Sequence, residues 1–264
     1  MNKIVFTAGL PRAGSTLLGA ILNQNPRFSA GITNPLAPCI RSVIKETSTR
    51  LGNRQVCDIE TRKRMVKSLI EMYHEEDSAE VIFNHNRTWP LALNIIKDIY
   101  PDAKLILLVR DLGWILDSFE VLLRKNPYVY SRLFDNLETD TVYARCESLL
   151  KEKGTVGFAY DCVKQAMTSE FSEDIMIIDY DSFVSNPKLA IENLYNFIDE
   201  PLFEHDFENV ESSFDEYDED LSAPGLHTVK RRVEFVPRKS IIPPDIWLSV
   251  EGKEVWKIQN SKNS

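Results

Sequence analysis

Residues Gly9-Leu10-Pro11-Arg12-Ala13-Gly14-Ser15-Thr16 constrain this chain more than any other stretch. A short apolar run, Ile4-Val5-Phe6-Thr7-Ala8, precedes them, and Leu17, Leu18, Ile21 and Leu22 follow at a spacing that buries one helical face. Strand, glycine turn and helix start in succession turn backbone N–H groups and the positive end of a helix dipole towards one point, where an anion is stabilised. The octet departs from the phosphate-cradling pattern G-x-x-x-x-G-K-S/T at one position, because Ser15 stands where the lysine would be. The loop is therefore expected to bind phosphate without the lysine that nucleoside triphosphatases set on the terminal phosphates. Its own cation is Arg12. Taken alone, the octet also fits a glycine-bearing β–α turn that holds no ligand.

Apolar runs return at 80–84, 104–109 and 174–178, continuous rather than alternating, as in strands buried on both faces of a parallel sheet. Helical patterns separate them at about 15–24, 36–51, 59–76, 89–99, 112–124 and 181–198. This alternation predicts an α/β fold, a doubly wound parallel sheet flanked by helices, with ligands beyond the carboxyl ends of the strands. The stretch 125–172 has no strong strand pattern and is expected to be a helical insertion that caps the acceptor side. Residues 204–221 are acidic and read as a solvated loop, or else an element for a cationic acceptor; the chain then turns basic at Lys230, Arg231, Arg232, Arg238 and Lys239. At 264 residues all of this fits a single domain, 1–264.

A formal charge of −9 argues against a broad basic face for nucleic acid, though not against a local basic cleft. No run of about 18 apolar residues is present, so no membrane span is expected. With no signal peptide either, the chain reads as cytoplasmic. Cys39, Cys57, Cys146 and Cys162 are scattered and read as reduced, mostly buried thiols. The four histidines show no metal-ligand spacing, and no metal is expected.

The run from Gly9 to Leu18 resembles the 5′-phosphosulfate-binding loop of the sulfotransferases that use 3′-phosphoadenosine 5′-phosphosulfate (PAPS), in the P-R-S-G-T-T-L form of tyrosyl-protein and some carbohydrate enzymes. The resemblance implies a P-loop-like fold and gives Pro11, Arg12, Ala13, Gly14, Ser15 and Thr16 to the donor. A second element supports it. Leu107-Leu108-Val109-Arg110-Asp111 ends a buried strand, and Ser118 lies eight positions after Arg110, as in the family's 3′-phosphate motif. A guanidinium delivered by a strand end suits bidentate phosphate contact. A strand-end ion pair of Arg110 with Asp111 or Asp117 is the structural alternative.

Sulfuryl transfer needs a base for the acceptor's proton and cations for the leaving phosphate. Counting back 25 positions from Arg110 reaches His85, where the resemblance puts the catalytic lysine of tyrosyl-protein enzymes and, in the same region, the histidine of cytosolic ones. His85 is thus the expected base, with Arg87 and Arg12 as catalytic charges; an ordinary strand-end histidine is the alternative. One departure stands out: the glutamate base of tyrosyl-protein enzymes falls on Thr33, followed by Asn34, with no carboxylate beside it. Softer likeness extends through Ile178-Asp179-Tyr180-Asp181 and Ile241-Ile242-Pro243-Pro244-Asp245-Ile246, which makes Tyr180 a donor-binding candidate. The family closes its donor site with the segment that here spans 225–246. Arg231 and Arg238 stand as the candidates there, the sequence leaving open which basic residues of this tail make contact.

The implied activity is transfer from PAPS to a hydroxyl on a small molecule, carbohydrate or peptide, with 3′-phosphoadenosine 5′-phosphate (PAP) as product. A nucleotide kinase using ATP and magnesium, or a protein that binds nucleotide without catalysis, are the other readings. The kinase lacks its loop lysine at Ser15.

Overall fold

Five strands, β1 (Lys3–Gly9), β2 (Phe28–Ala30), β3 (Val81–His85), β4 (Leu105–Val109) and β5 (Ile175–Asp179), pair in the order β2-β3-β1-β4-β5 with every pairing parallel. The structure is a computed structural model that describes residues 2–134, 139–212 and 214–260. Residues 135–138 of the expected insertion and Ser213 of the acidic stretch lie outside them.

The chain winds to one side of β1 through β2 and β3, then crosses to the other for β4 and β5. That reversal opens a crevice above the carboxyl ends of β1 and β4. Register brings the functional ends level: Thr7 lies opposite His85, Gly9 opposite Leu108, and Val109 opposite Asp179. The turns after β1, β3, β4 and β5 therefore meet at one edge.

Both faces of the sheet are covered, which is why its strands read as unbroken apolar runs. Along β4 the side chains alternate, with Ile106 and Leu108 in a core that includes Ile21, Ile115 and Phe119, and Leu105 and Leu107 in one that includes Ile40, Ile70 and Trp89. The helices are α1 (Ser15–Leu22), α2 (Leu36–Thr49), α3 (Leu51–Val56), α4 (Ile59–Tyr73), α5 (Leu93–Ile99), α6 (Leu112–Lys125), α7 (Val142–Leu150), α8 (Thr155–Met167), α9 (Tyr180–Ser185), α10 (Pro187–Phe197), α11 (Asp215–Asp220), α12 (Pro244–Val250) and α13 (Val255–Asn260).

Three local features differ from the sequence pattern. The edge strand β2 is three residues long, too short for periodicity to reveal. The single helix expected over 181–198 is split, because Pro187 starts a new helix and Asn186 caps it through its side chain. A single 3-10 turn, Trp89–Ala92, opens the 89–99 segment, with Pro90 at its start. Between β4 and β5, α7 and α8 occupy part of 125–172, and α7 is tied to α6 through Glu120. Arg145 donates from Nε to Oε2 at 2.9 Å and from Nη2 to Oε1 at 2.7 Å, and the Glu120 side chain is only 2% exposed.

Candidate active site

The loop from Gly9 to Gly14 is shaped by three unusual backbone angles. Gly9 has φ 148° and packs so close to β4 that a Cβ there would fall 2.1 Å from the Leu108 carbonyl oxygen. Arg12 adopts φ 61°, a left-handed conformation that is uncommon for a residue with a side chain. Gly14, φ 91°, precedes α1, and a Cβ on it would sit 2.9 Å from Cδ2 of Tyr180. Ala13 buries its methyl fully, Pro11 lies in the turn, and Ser15 and Thr16 begin α1. No side chain caps this helix. Its first N–H groups face the crevice without an intrahelical acceptor, as an anion site requires.

Arginines from three distant parts of the chain converge here. Arg12 donates from Nε to Ser118 Oγ at 3.0 Å and from Nη1 to the carbonyl of Leu226. Arg110 donates from Nη1 to the Arg12 carbonyl at 3.1 Å and lies over the Tyr180 ring, 4.1 Å from its centroid. Its Nε is buried without a hydrogen-bond partner. Arg238 pairs with the fully buried Asp117 of α6 and lies over Trp114, 5.1 Å from the ring centre. Asp117 also accepts the Ile241 N–H at 2.7 Å, which fastens the 238–241 segment to α6. Burial, with Arg110 close by, pushes the Arg12 guanidinium down to about 10. It remains charged at neutral pH. Like charges gathered in a desolvated pocket destabilise one another, and a bound polyanion relieves that repulsion. With an unpartnered Arg110 Nε and uncapped helix N–H groups beside them, these residues fit a donor with a phosphate at each end.

The sequence candidates Arg12, Arg110, Ser118 and Tyr180 are thus joined by direct contacts, and Arg238 lies within electrostatic reach of Arg12 and Arg110. Arg231 does not join them: its Nε and Nη2 donate to Asn209 Oδ1 at 2.9 and 2.5 Å on the exposed surface.

His85 ends β3 at the same edge. Its Nδ1 is 3.0 Å from Thr7 Oγ1, the residue opposite it in the sheet. Burial, then the charge of Arg87 and the nearby His227, pushes its imidazole down to about 4, so the ring is neutral at pH 7. Arg87 follows in the turn and has no ion-pair partner among the described residues. Asn34 holds this turn. Its amide donates to Asn84 Oδ1 at 2.5 Å and to the His85 carbonyl at 2.6 Å, while Asn86 donates back to the Asn34 carbonyl at 2.6 Å. The Thr33-Asn34 position that lacks a family glutamate is therefore a clamp on the strand end.

Sequence reasoning missed a second histidine. His227 donates its backbone N–H to Asp218 Oδ2 at 2.9 Å, and its Nδ1 lies 2.5 Å from Asp218 Oδ1. Asp218, read as one more charge in a solvated run, points inward from α11 with its side chain 3% exposed. Its neighbours Glu216, Glu219 and Asp220 are exposed, and nothing in their sequence separates the one buried carboxylate from the rest. The C-terminal tail brings the Leu226 carbonyl to Arg12 and Arg238 to Asp117 of α6, and His227 lies within electrostatic reach of Arg12 and Arg87.

Among the described residues no group of three or more His, Cys, Asp or Glu is arranged to hold a metal ion, and no helix is long and apolar enough to cross a membrane.

A family model described as "Sulfotransferase family" matches residues 5–205. A relative from Caenorhabditis briggsae, named "Putative protein-tyrosine sulfotransferase", is 21% identical over 235 residues, spanning 84% of this chain and 75% of the relative. Among solved structures, a sulfotransferase from Alicyclobacillus acidocaldarius matches with a TM-score of 0.50 and 17% identity over 84% of this chain and 90% of its own. The sulfotransferase domain from the curacin biosynthetic pathway matches with a TM-score of 0.50 and 15% identity over 77% and 76%. At these identities the two structures speak for a shared fold.

Proposed function

The chain belongs to the sulfotransferase family, and on that premise we propose how it carries out sulfuryl transfer from PAPS to a hydroxyl acceptor. The observation that carries the reading is the set of three guanidiniums, Arg12, Arg110 and Arg238, around a lysine-free phosphate loop. Backbone N–H groups at 13–16 and the Arg12 side chain hold the 5′-phosphosulfate end. Arg110, Ser118 and Arg238 hold the 3′-phosphate, with Tyr180 as the platform under Arg110. Arg231, whose Nε and Nη2 meet Asn209 on the exposed surface, is left out of this proposed set. When bound, PAPS supplies the sulfuryl group and PAP is what remains.

The protein's share is orientation and charge. Arg12 and Arg87 stabilise negative charge that grows on the leaving side, an interaction worth most in a desolvated pocket. His85, neutral and fixed by Thr7, serves at the strand end as a hydrogen-bond partner of the reacting group. The whole chain acts as one domain, with α7, α8 and the 204–221 segment bordering the acceptor side. The acceptor is a hydroxyl of a small molecule, carbohydrate or peptide. A phenol is the first to try, since the worm relative is named for tyrosine. Four unpaired cysteines, three of them buried, support a reducing, cytoplasmic setting.

Family membership favours sulfuryl transfer over the ATP-dependent kinase and over a binding-only protein. The test is calorimetry with PAP, adenosine 5′-phosphate and ATP–magnesium, followed by sulfate transfer from labelled PAPS. PAP is expected to bind at least about ten-fold more tightly than adenosine 5′-phosphate, the equivalent of about 1.4 kcal/mol for the 3′-phosphate. Equal affinity for the two, or preference for ATP–magnesium, overturns the assignment.

A further inference from the structure

We propose that His227, held by Asp218, is the general base that takes the proton from the acceptor hydroxyl, while His85 stays neutral as a hydrogen-bonding group. The proposal rests on the sulfotransferase reading above and assigns a residue of the C-terminal segment to the chemistry.

Geometry carries it. Asp218 grips His227 at two points, Oδ2 on the backbone N–H at 2.9 Å and Oδ1 at Nδ1 at 2.5 Å. A carboxylate only accepts, so Nδ1 bears the proton and the lone pair of the neutral ring lies on Nε2. Nε2 has no protein partner among the described residues, and the side chain keeps 20% of its surface open. A base fixed in tautomer and orientation by a buried carboxylate, with its second nitrogen free, is the arrangement proton abstraction needs.

The ring is also in the right company. Leu226, its neighbour in the chain, accepts from the phosphate-loop Arg12. The groups facing His227 are Asp218 and Tyr217 from α11, Arg12 from the loop after β1, Arg87 from the turn after β3, and His85 at the end of β3. Phe214 and Tyr217 pack edge-on against it at 6.4 and 5.2 Å. Burial lowers its affinity for a proton, the bond to Asp218 raises it, and Arg12 and Arg87 lower it again. The net effect in the free protein is a lowered imidazole pKa, burial being the largest cause; a bound anion offsets the arginines, and Asp218 is then the group that opposes burial. The His85 ring has no carboxylate partner among the described residues: its Nδ1 meets the Thr7 hydroxyl, and burial beside Arg87 and His227 lowers its affinity for a proton.

The step balances without another reagent. The acceptor oxygen forms its bond to sulfur, the bond from sulfur to the 5′-phosphate oxygen breaks with its electron pair leaving on PAP, and the acceptor's proton passes to Nε2 of His227.

Two measurements test this. In the free protein, nitrogen-15 NMR of the imidazoles is expected to find His227 in the Nδ1–H tautomer, and Asp218→Asn to lower its pKa. In the second, His227→Gln, Asp218→Asn and His85→Gln are compared for PAP affinity and for release of PAP from PAPS, with phenol or with water alone as acceptor. His227→Gln is expected to keep PAP affinity within about two-fold, which also shows that it folds, and to lose about a hundred-fold or more in turnover. Asp218→Asn is expected to move the acidic limb of the rate profile to lower pH, a change that mere loss of structure would not produce. An Nε2–H tautomer overturns the proposal, as does His227→Gln turnover above about a tenth of wild type, below the loss expected for a missing base. Failure of the wild-type protein to prefer PAP over adenosine 5′-phosphate would instead remove the underlying sulfotransferase reading, a result seen in the binding arm before any variant is made.

Discussion

At the scale of single residues, Arg110 has an aromatic ring beneath it, the Arg12 carbonyl at one end and a buried Nε with no partner. Arg110→Ala is expected to weaken PAP binding by about 2–4 kcal/mol, the usual cost of deleting one member of a desolvated charge pair. Adenosine 5′-phosphosulfate, which lacks the 3′-phosphate, should lose little affinity in the same titration; equal losses would move Arg110 away from the 3′-phosphate. His85 makes a second prediction, on acid stability. Its native pKa, about 4, lies below the ordinary 6.5, so the unfolded chain binds more protons between those values. Stability contributed by the neutral ring is intact above about pH 6.5 and falls as pH drops towards 4. The loss is at most about 3 kcal/mol at 1.36 kcal/mol per unit. His85→Gln should flatten that part of the stability–pH curve in urea titrations. The sequence picks out both positions by a strand end and by the spacing that the family resemblance supplies, though it expects His85 as the general base. His227 was not legible there, since its role depends on Asp218 turning inward, and only the packing of α11 decides which carboxylate of Asp215–Asp220 does so.

Among the elements, α6 carries more than its sequence pattern announced. It supplies the buried Asp117 for Arg238 and Ile241, the half-buried Ser118 for Arg12, and the buried Glu120 for Arg145 and Arg124. The sequence offers Asp117 only as an alternative partner of Arg110 and assigns no role to Glu120, because the arginines that compensate them come from beyond the helix or fold back onto it. Burial alone would raise the Glu120 carboxyl, but bonds from Arg145 and then Arg124 outweigh it and hold it below the usual range. Its stabilisation is therefore complete above the ordinary carboxylate value of 4.5 and lost as pH falls through the lowered one. Glu120→Ala strands Arg145 at the α6–α7 contact and should cost about 3–5 kcal/mol in denaturant unfolding, the range for breaking a buried pair. A loss under about 1 kcal/mol would mean the pair behaves as a surface one. The strands were the easiest elements to read, since covering both faces of the sheet leaves no polar alternation. The short edge strand β2 and the Asn186-Pro187 break depend on local hydrogen bonds and escaped the pattern.

For the molecule as a whole, the proposed donor site joins residues 12, 110, 118 and 238, so a ligand held there would bind the fold and not the unfolded chain. PAP at about a hundred times its dissociation constant should stabilise the protein by about 2.7 kcal/mol. At roughly 2–4 °C per kcal/mol for a chain of this size, the melting midpoint should rise by about 5–11 °C. A shift of under about 2 °C would mean that the three arginines do not act together on one ligand. The same arginines also fasten the C-terminal segment, Arg12 through the Leu226 carbonyl and Arg238 through Asp117. Side chains shared between a ligand and a strap make the two compete for the same donors. Exit of the spent nucleotide and re-fastening of the strap are then expected to form one kinetic event, slower than the chemistry it follows. Such an enzyme would show a rapid first turnover followed by a slower steady rate, and its speed would be governed by how quickly it lets go.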